Sequence, residues 1–420
     1  MPPVRNIYDQ YTQPENRLTH ALVSTLAHDR SLLVPFLKWA GAKDIPNPKA
    51  LRITEQQVPG QLVTGDEFEA DRKGLPDACI FDDEGWSLVI EAKVASKVSR
   101  DQLERHVRTV KRYGFGKPYL LVIAVDPPAG RSMNICEHRQ WREVYAWFRQ
   151  HAGGSAWAKA FVEYIEVFES RMIAADYSIR GTLTMFDGLR FDDENPYNYR
   201  EGKRLIRLLG DELQKRKELH KIGADPKGAR RSAITGGEDD RVWDFIPLKA
   251  ARGASNFTAH PHLTLGLAPG GGSANITVPH GVKGGFRTRL REMGVEGFGE
   301  LFAELEQRTR KVRAKSKGST VIAQAVQRHY KSQRSTPTID GNLRFDLRTV
   351  VRGGGGGVKY QPHWLDSIYT LLTEKRSNIQ FGIGVHFSYD CPVVRSAKAD
   401  DLFVESWVAL SPILDLVADE

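Results

Sequence analysis

The stretch "LPDACIFDDEGWSLVIEAKV", residues 75–94, decides the reading of the fold. Two apolar runs flank a short acidic turn, and an aspartate, a glutamate and a lysine interrupt sequence that is otherwise strand-like. The runs 77–82 and 86–94 read as two strands, with Asp83, Glu84 and Gly85 as the loop. A three-residue hairpin loop takes a left-handed residue at its third position, which suits Gly85. Pairing Asp82 with Trp86 then sets a register in which Asp77 lies opposite Glu91. Directly opposed residues of an antiparallel ladder have Cβ atoms about 4.5–5.5 Å apart. Two carboxylates that close repel each other unless a cation lies between them. Lys93 shares the face of Glu91, whereas Leu88, Ile90, Ala92 and Val94 take the other face. The hairpin therefore offers two carboxylates to a divalent metal and sets an ammonium beside it. Magnesium prefers oxygen ligands and often binds through one or two carboxylates plus substrate phosphate. A metal-bound water is a better nucleophile, and Lys93 is placed to stabilise charge on a scissile phosphate.

Outward from the hairpin, residues 1–150 read as one α/β unit. "TQPENRLTHALVSTLAHD" has helical apolar spacing, and "LRITEQQV" reads as a strand. After the hairpin, "SRDQLERHVRTVKRYG" is a helix with Ser99 at its N-cap, an apolar stripe of Leu103, Val107 and Val110, and a stop at Gly114. "YLLVIAVD" is a continuous apolar run, typical of a strand covered on both faces. The order is helix, strand, strand, strand, helix, strand. Residues 151–223 read as a helical connector with a hairpin over 177–193. Residues 224–420 read as a basic α+β domain that binds substrate, senses a ligand or oligomerises.

Pro76-Asp77, thirteen intervening residues and Glu91-Ala92-Lys93 resemble the motif of the PD-(D/E)XK, or restriction-endonuclease-like, nucleases. The surrounding hairpin, apolar strands and following helix and strand resemble that fold over roughly residues 10–130. The resemblance implies Mg²⁺-dependent (or Mn²⁺-dependent) hydrolysis of phosphodiester bonds. Asp77, Glu91 and the Ala92 carbonyl would hold the metal, and Lys93 would orient water or steady the transition state. Glu15, on the apolar side of the first helix, matches a glutamate that reaches the metal in many members. Against that role, Thr12-Gln13-Pro14-Glu15 also reads as a capping box. Gln102 resembles the glutamine of members acting on DNA ends or single strands, with His106 one turn further on. Stand-alone nucleases with appended domains are frequent in bacterial defence against phage, a placement by analogy alone.

Composition bounds the partners. The net charge is +8, yet residues 200–335 hold 27 Lys and Arg against 14 Asp and Glu, so a basic middle is flanked by mildly acidic parts. This pattern suits a polyanion, most simply nucleic acid, with DNA favoured over RNA. The run "RTRKVRAKSKGS" supplies Arg308, Arg310, Lys311, Arg313, Lys315 and Lys317 as candidate phosphate contacts, although cations also complement a helix C-terminus. His260 and His262 share a strand face but lack a third ligand. Cys79, Cys136 and Cys391 suggest no disulfide framework, the N-terminus carries no secretory h-region, and no apolar run spans a membrane, so a cytoplasmic protein is expected. Two other classes stay open. One is a nucleic-acid-binding scaffold on an idle nuclease fold. The other is an effector nuclease switched on by a partner or ligand sensed by the C-terminal region, as a homo-oligomer or within a defence system.

Overall fold

The computed structural model describes residues 6–56, 75–94, 98–125, 136–174, 182–231, 240–254, 260–279, 285–329, 331–332, 338–354, 357–374 and 378–417. The chain is mixed α/β and divides into two compact units, residues 1–185 and 186–420.

The first unit is built on a five-stranded sheet. Helices α1 (Pro14–His28) and α2 (Leu33–Trp39) precede strands β1 (Arg52–Glu55), β2 (Ala78–Phe81) and β3 (Ser87–Lys93). Helix α3 (Arg100–Arg112), strands β4 (Tyr119–Ala124) and β5 (Cys136–Gln140), and helices α4 (Trp141–His151) and α5 (Ala156–Ala174) follow. The strand order is β1-β2-β3-β4-β5. The first three strands are antiparallel, and β4 and β5 then add in parallel. The α3 crossover makes the parallel β3–β4 step feasible.

The hairpin register is the expected one. Ala78 pairs with Ile90 and Phe81 with Ser87. Asp82 N–H donates to the Trp86 carbonyl over 3.1 Å, and Gly85 has φ +99°. One face of β3 sends Leu88, Ile90 and Ala92 into a core with Leu18, Leu22 and Leu26 of α1 and with α4 and α5. The other sends Val89 into a smaller core with Leu103, Val107 and Val110 of α3. The unit boundary falls at 185, not at 150. Phe161, Ile165 and Phe168 of α5 join Trp141, Val144 and Phe148 of α4 in the α1 core, so α5 belongs to this unit and not to a separate connector. The hairpin expected over 177–193 lies partly outside the described residues, and 182–193 contains no strand.

The second unit has helices α6 (Tyr199–Gln214) and α7 (Lys217–Lys221) ahead of strands β6 (Val242–Pro247), β7 (His262–Ala268) and β8 (Gly271–Val278). Next come α8 (Phe286–Lys315), β9 (Thr320–His329), β10 (Thr338–Asp346), α9 (His363–Glu374), β11 (Asn378–Phe387), α10 (Ala399–Leu410) and α11 (Pro412–Asp415). Its six strands pair in the order β10-β9-β11-β8-β7-β6, every neighbour antiparallel. Leu263, Leu265 and Leu267 alternate into a core shared with Ile206 and Leu209 of α6, Phe298 and Phe302 of α8, and Phe403 and Trp407 of α10. Helix α6 thus packs on this sheet, which moves the expected boundary at 223 back to 185. Gly294, with φ +72°, kinks α8.

Candidate active site

The register brings the charged residues of the opening stretch together at the end of β3. Asp77 lies one step before β2, and its Oδ2 accepts from Ala92 N–H over 2.7 Å. Its backbone carbonyl accepts from Gln56 N–H over 3.1 Å, which ties the same corner to β1. Glu91 points to the α3 side of the sheet and is 1% exposed. A carboxylate this deeply buried needs partners, and three converge on it. Lys93 Nζ stands 2.5 Å from Oε1, and Gln102 Nε2 donates to the same oxygen over 2.6 Å. His106 Nε2 lies 2.9 Å from Oε2, without the alignment of a hydrogen bond. Gln102 and His106 are four apart on α3, so one helix face delivers both.

Glu15 joins this group from α1. The expected capping box does not form: the N-cap is Gln13, and its side chain makes no cap hydrogen bond. Glu15 Oε1 instead accepts from Val94 N–H over 3.3 Å. The backbone donor just past β3 and the nearby Lys93 outcompete the local cap.

The electrostatics match the geometry. Burial, reinforced by the Glu91 carboxylate, pushes Asp77 up to about 6, against the lowering pull of Ala92 N–H, Lys93 and His106. Burial opposes the charge on Lys93, but Glu91, Asp77 and Glu15 outweigh it and raise its pKa. Lys93 therefore stays an ammonium. Among the described residues no group of three or more His, Cys, Asp or Glu side chains forms a ready cage for a metal. The carboxylate of Glu91 is turned to Lys93 and Gln102 instead.

A second polar group borders the corner. Glu55, paired with Ala78 across β1–β2, takes the Tyr11 hydroxyl over 3.1 Å and His20 Nδ1 over 2.9 Å. Burial and Glu55 push Tyr11 up to about 12.

The six candidate phosphate contacts lie in the second unit, at the C-terminal end of α8, and most are already engaged. Arg308 pairs with Glu304 at 3.0 Å, Arg310 with Glu306 at 2.8 Å, Arg313 also with Glu306, and Lys315 with Glu405 at 2.5 Å. Lys311 and Lys317 are exposed and pair with no carboxylate among the described residues. His262 is buried and held well below the usual imidazole range, at about 4, mainly by desolvation. Among the described residues no helix is long and apolar enough to cross a membrane.

Comparison with protein-family models, with curated proteins and with solved structures finds no match for this chain.

Proposed function

We propose that the first unit is a restriction-endonuclease-like core and that the protein is a metal-dependent nuclease, with DNA as the favoured substrate. The observation that carries this reading is the opposition of Asp77 and Glu91 at one end of a buried hairpin, with Lys93 and Gln102 on the same carboxylate. Two carboxylates set against each other cost folding free energy, and Glu91 adds to burial, the larger cause, in raising the Asp77 pKa. A divalent cation offsets it, so the donor set fits Mg²⁺ or Mn²⁺. Asp77, Glu91, Glu15 and the Ala92 carbonyl are the groups that would hold it. Bound there, the ion would supply Lewis acidity toward phosphoryl oxygen and a more acidic water.

The residues of the chain do the positioning. Lys93, kept protonated by its carboxylate neighbours, places positive charge where the phosphorane oxygens develop theirs. Gln102 orients Glu91 through its amide N–H, and His106 backs the second oxygen. Glu15 anchors the backbone just after Lys93 and so aims the end of β3.

The test is incubation of the pure protein with circular and linear duplex DNA, single-stranded DNA and RNA, in Mg²⁺, Mn²⁺ or EDTA. Expected are metal-dependent cleavage, none in EDTA, and none by Asp77→Ala or Glu91→Ala proteins that still fold. Cleavage at parental rates by both variants overturns the assignment. Nucleic-acid binding without cleavage in either metal points to the idle-scaffold class.

A further inference from the structure

The helices cover one face of the six-stranded sheet, and strand alternation builds a different surface on the other. Leu263, Leu265 and Leu267 of β7 enter the core, so Thr264 and Gly266 between them face outward. The same alternation on β8, β9 and β11 exposes Ser273, Asn275, Gln324 and Gln380. Together with β6 and β10 they line a trough of about 400 Å³. That volume lies in the range of pockets for small molecules.

Its chemistry is one-sided. Arg241 stands at the β6 side and Arg328 at the β9 side, and no carboxylate lines the trough among the described residues. Arg344 adds a third guanidinium, with Nη2 3.5 Å from His386 Nδ1 in the trough wall. Several arginines elsewhere in this unit find carboxylates. Arg216 pairs with Asp400 and Asp401, Arg252 with Asp225, and Arg348 with Asp346. Guanidiniums lining a cavity free of carboxylates select an anion, and their fork geometry suits phosphate. Burial, with Arg344 and Arg241, holds His386 down at about 4, so it faces the trough uncharged at neutral pH.

The remaining lining is neutral and bifunctional. Gln324 donates to Asn342 over 2.8 Å, Asn275 donates to Ser273 over 3.1 Å, and the Thr264 and Thr277 hydroxyls lie 2.7 Å apart. Each amide keeps further donors and acceptors, as reading the edge of a base or a ribose requires. A single-stranded polymer would need a row of stacking aromatics. Among the described lining residues Trp243 is the one Phe, Tyr or Trp, and Arg231 covers its ring at 3.9 Å. Volume, charge and lining together favour a compact ligand over a polymer.

We propose that this trough binds a small phosphorylated nucleotide, linear or cyclic, with Arg241 and Arg328 as its phosphate contacts and the amide-lined floor recognising its base. The inference does not depend on the carboxylate site of the first unit. It gives the second unit a ligand of its own.

The test is isothermal titration of the full chain in EDTA. The probes are the four ribonucleoside mono- and triphosphates, 3′,5′-linked cyclic dinucleotides, inorganic phosphate and a twelve-residue oligothymidylate. Expected is a Kd below about 1 mM for at least one nucleotide, roughly tenfold or more tighter than for inorganic phosphate. Arg241→Glu with Arg328→Glu should weaken it by roughly tenfold or more. Gly382→Val should do the same by filling the floor. A Cβ there meets only the Ile276 carbonyl at 3.9 Å, so the strand accepts it. Circular dichroism and melting temperature should match the parent for both variants. The proposal is overturned if no nucleotide binds below about 1 mM, if phosphate alone binds as tightly, or if the oligonucleotide binds and mononucleotides and cyclic dinucleotides do not. Binding that survives both variants overturns it equally.

Discussion

Replacing Asp77 by asparagine should stabilise the metal-free protein. The change removes one charge from the opposed pair and keeps an oxygen for Ala92 N–H, which now donates to Asp77 over 2.7 Å. Burial and Glu91 push Asp77 from 3.8 up to about 6, a gap that corresponds to about 3 kcal/mol. The folded value lies above the unfolded one, so protonated Asp77 stabilises the fold fully below about pH 3.8. That contribution is lost as the pH rises through about 6. In EDTA near neutral pH, the asparagine variant should therefore gain about 1–3 kcal/mol. The gain should shrink to about 1 kcal/mol or less by about pH 4.5. Because the chain has two units, the readout must belong to the first. Hydrogen exchange of peptides covering β2 and β3 does, and protection there should rise roughly 5- to 150-fold near neutral pH. Mg²⁺ should then narrow the gap, because it stabilises the parent and not the variant. Equal protection of the two proteins near neutral pH, or a gain undiminished at about pH 4.5, refutes the electrostatic reading of the pair.

Three further outcomes are expected. Lys93→Ala should abolish cleavage at saturating Mg²⁺ while nucleic-acid binding persists, and Lys93→Arg should not restore it, because guanidinium is larger and planar; parental turnover in Lys93→Ala excludes the role. Gln102→Leu removes the amide donor from a buried carboxylate and should cost about 1–3 kcal/mol in exchange protection of β3, together with a fall in kcat, so unchanged protection would show that Lys93 and His106 suffice for Glu91. Replacing Lys311 and Lys317 together by alanine in an Asp77→Ala background should flatten the slope of log affinity for duplex DNA against log salt by at most about 2, with binding weakened alike for all sequences; an unchanged slope makes the end of α8 a solvated surface.

The hairpin was legible because its physics is local. Period-two alternation sorts Leu88, Ile90 and Ala92 from Glu91 and Lys93, and one glycine at the third loop position sets the register. Helix α3 was legible from its stripe, although the Ser99 side chain makes no cap hydrogen bond. Glu15 was ambiguous for a physical reason: a capping residue and a carboxylate facing a strand end share one local sequence. Only the tertiary contact to Val94 decides between them. His106 was visible as a neighbour of Gln102, but its approach to Glu91 depends on how α3 crosses β3. Strand β5, "CEHRQ", carries no apolar alternation and was not read. In the second unit the strand order was out of reach. β11 inserts between β9 and β8, a pairing that no local turn dictates.

The basic middle of the chain shows how a charge count and a charge distribution differ. Residues 200–335 carry an excess of cations, and the densest run, at the end of α8, first suggests the polyanion contact. Pairing weakens that inference for four of the six cations. Glu306 is fully buried and takes both Arg310 and Arg313, so these cations balance a desolvated carboxylate. Lys315 is held by Glu405, 90 positions away in sequence, a partner that no local reading reaches. Charges spent in this way release few counterions on binding and add little to affinity for a polyanion. Arg241 and Arg328 are far apart in the sequence and belong to no run. The antiparallel sheet nevertheless brings them to one concave surface without a carboxylate among its described lining residues. The capacity of this unit to hold an anion should therefore be sought on the open face of the sheet, where no described lining residue is a carboxylate.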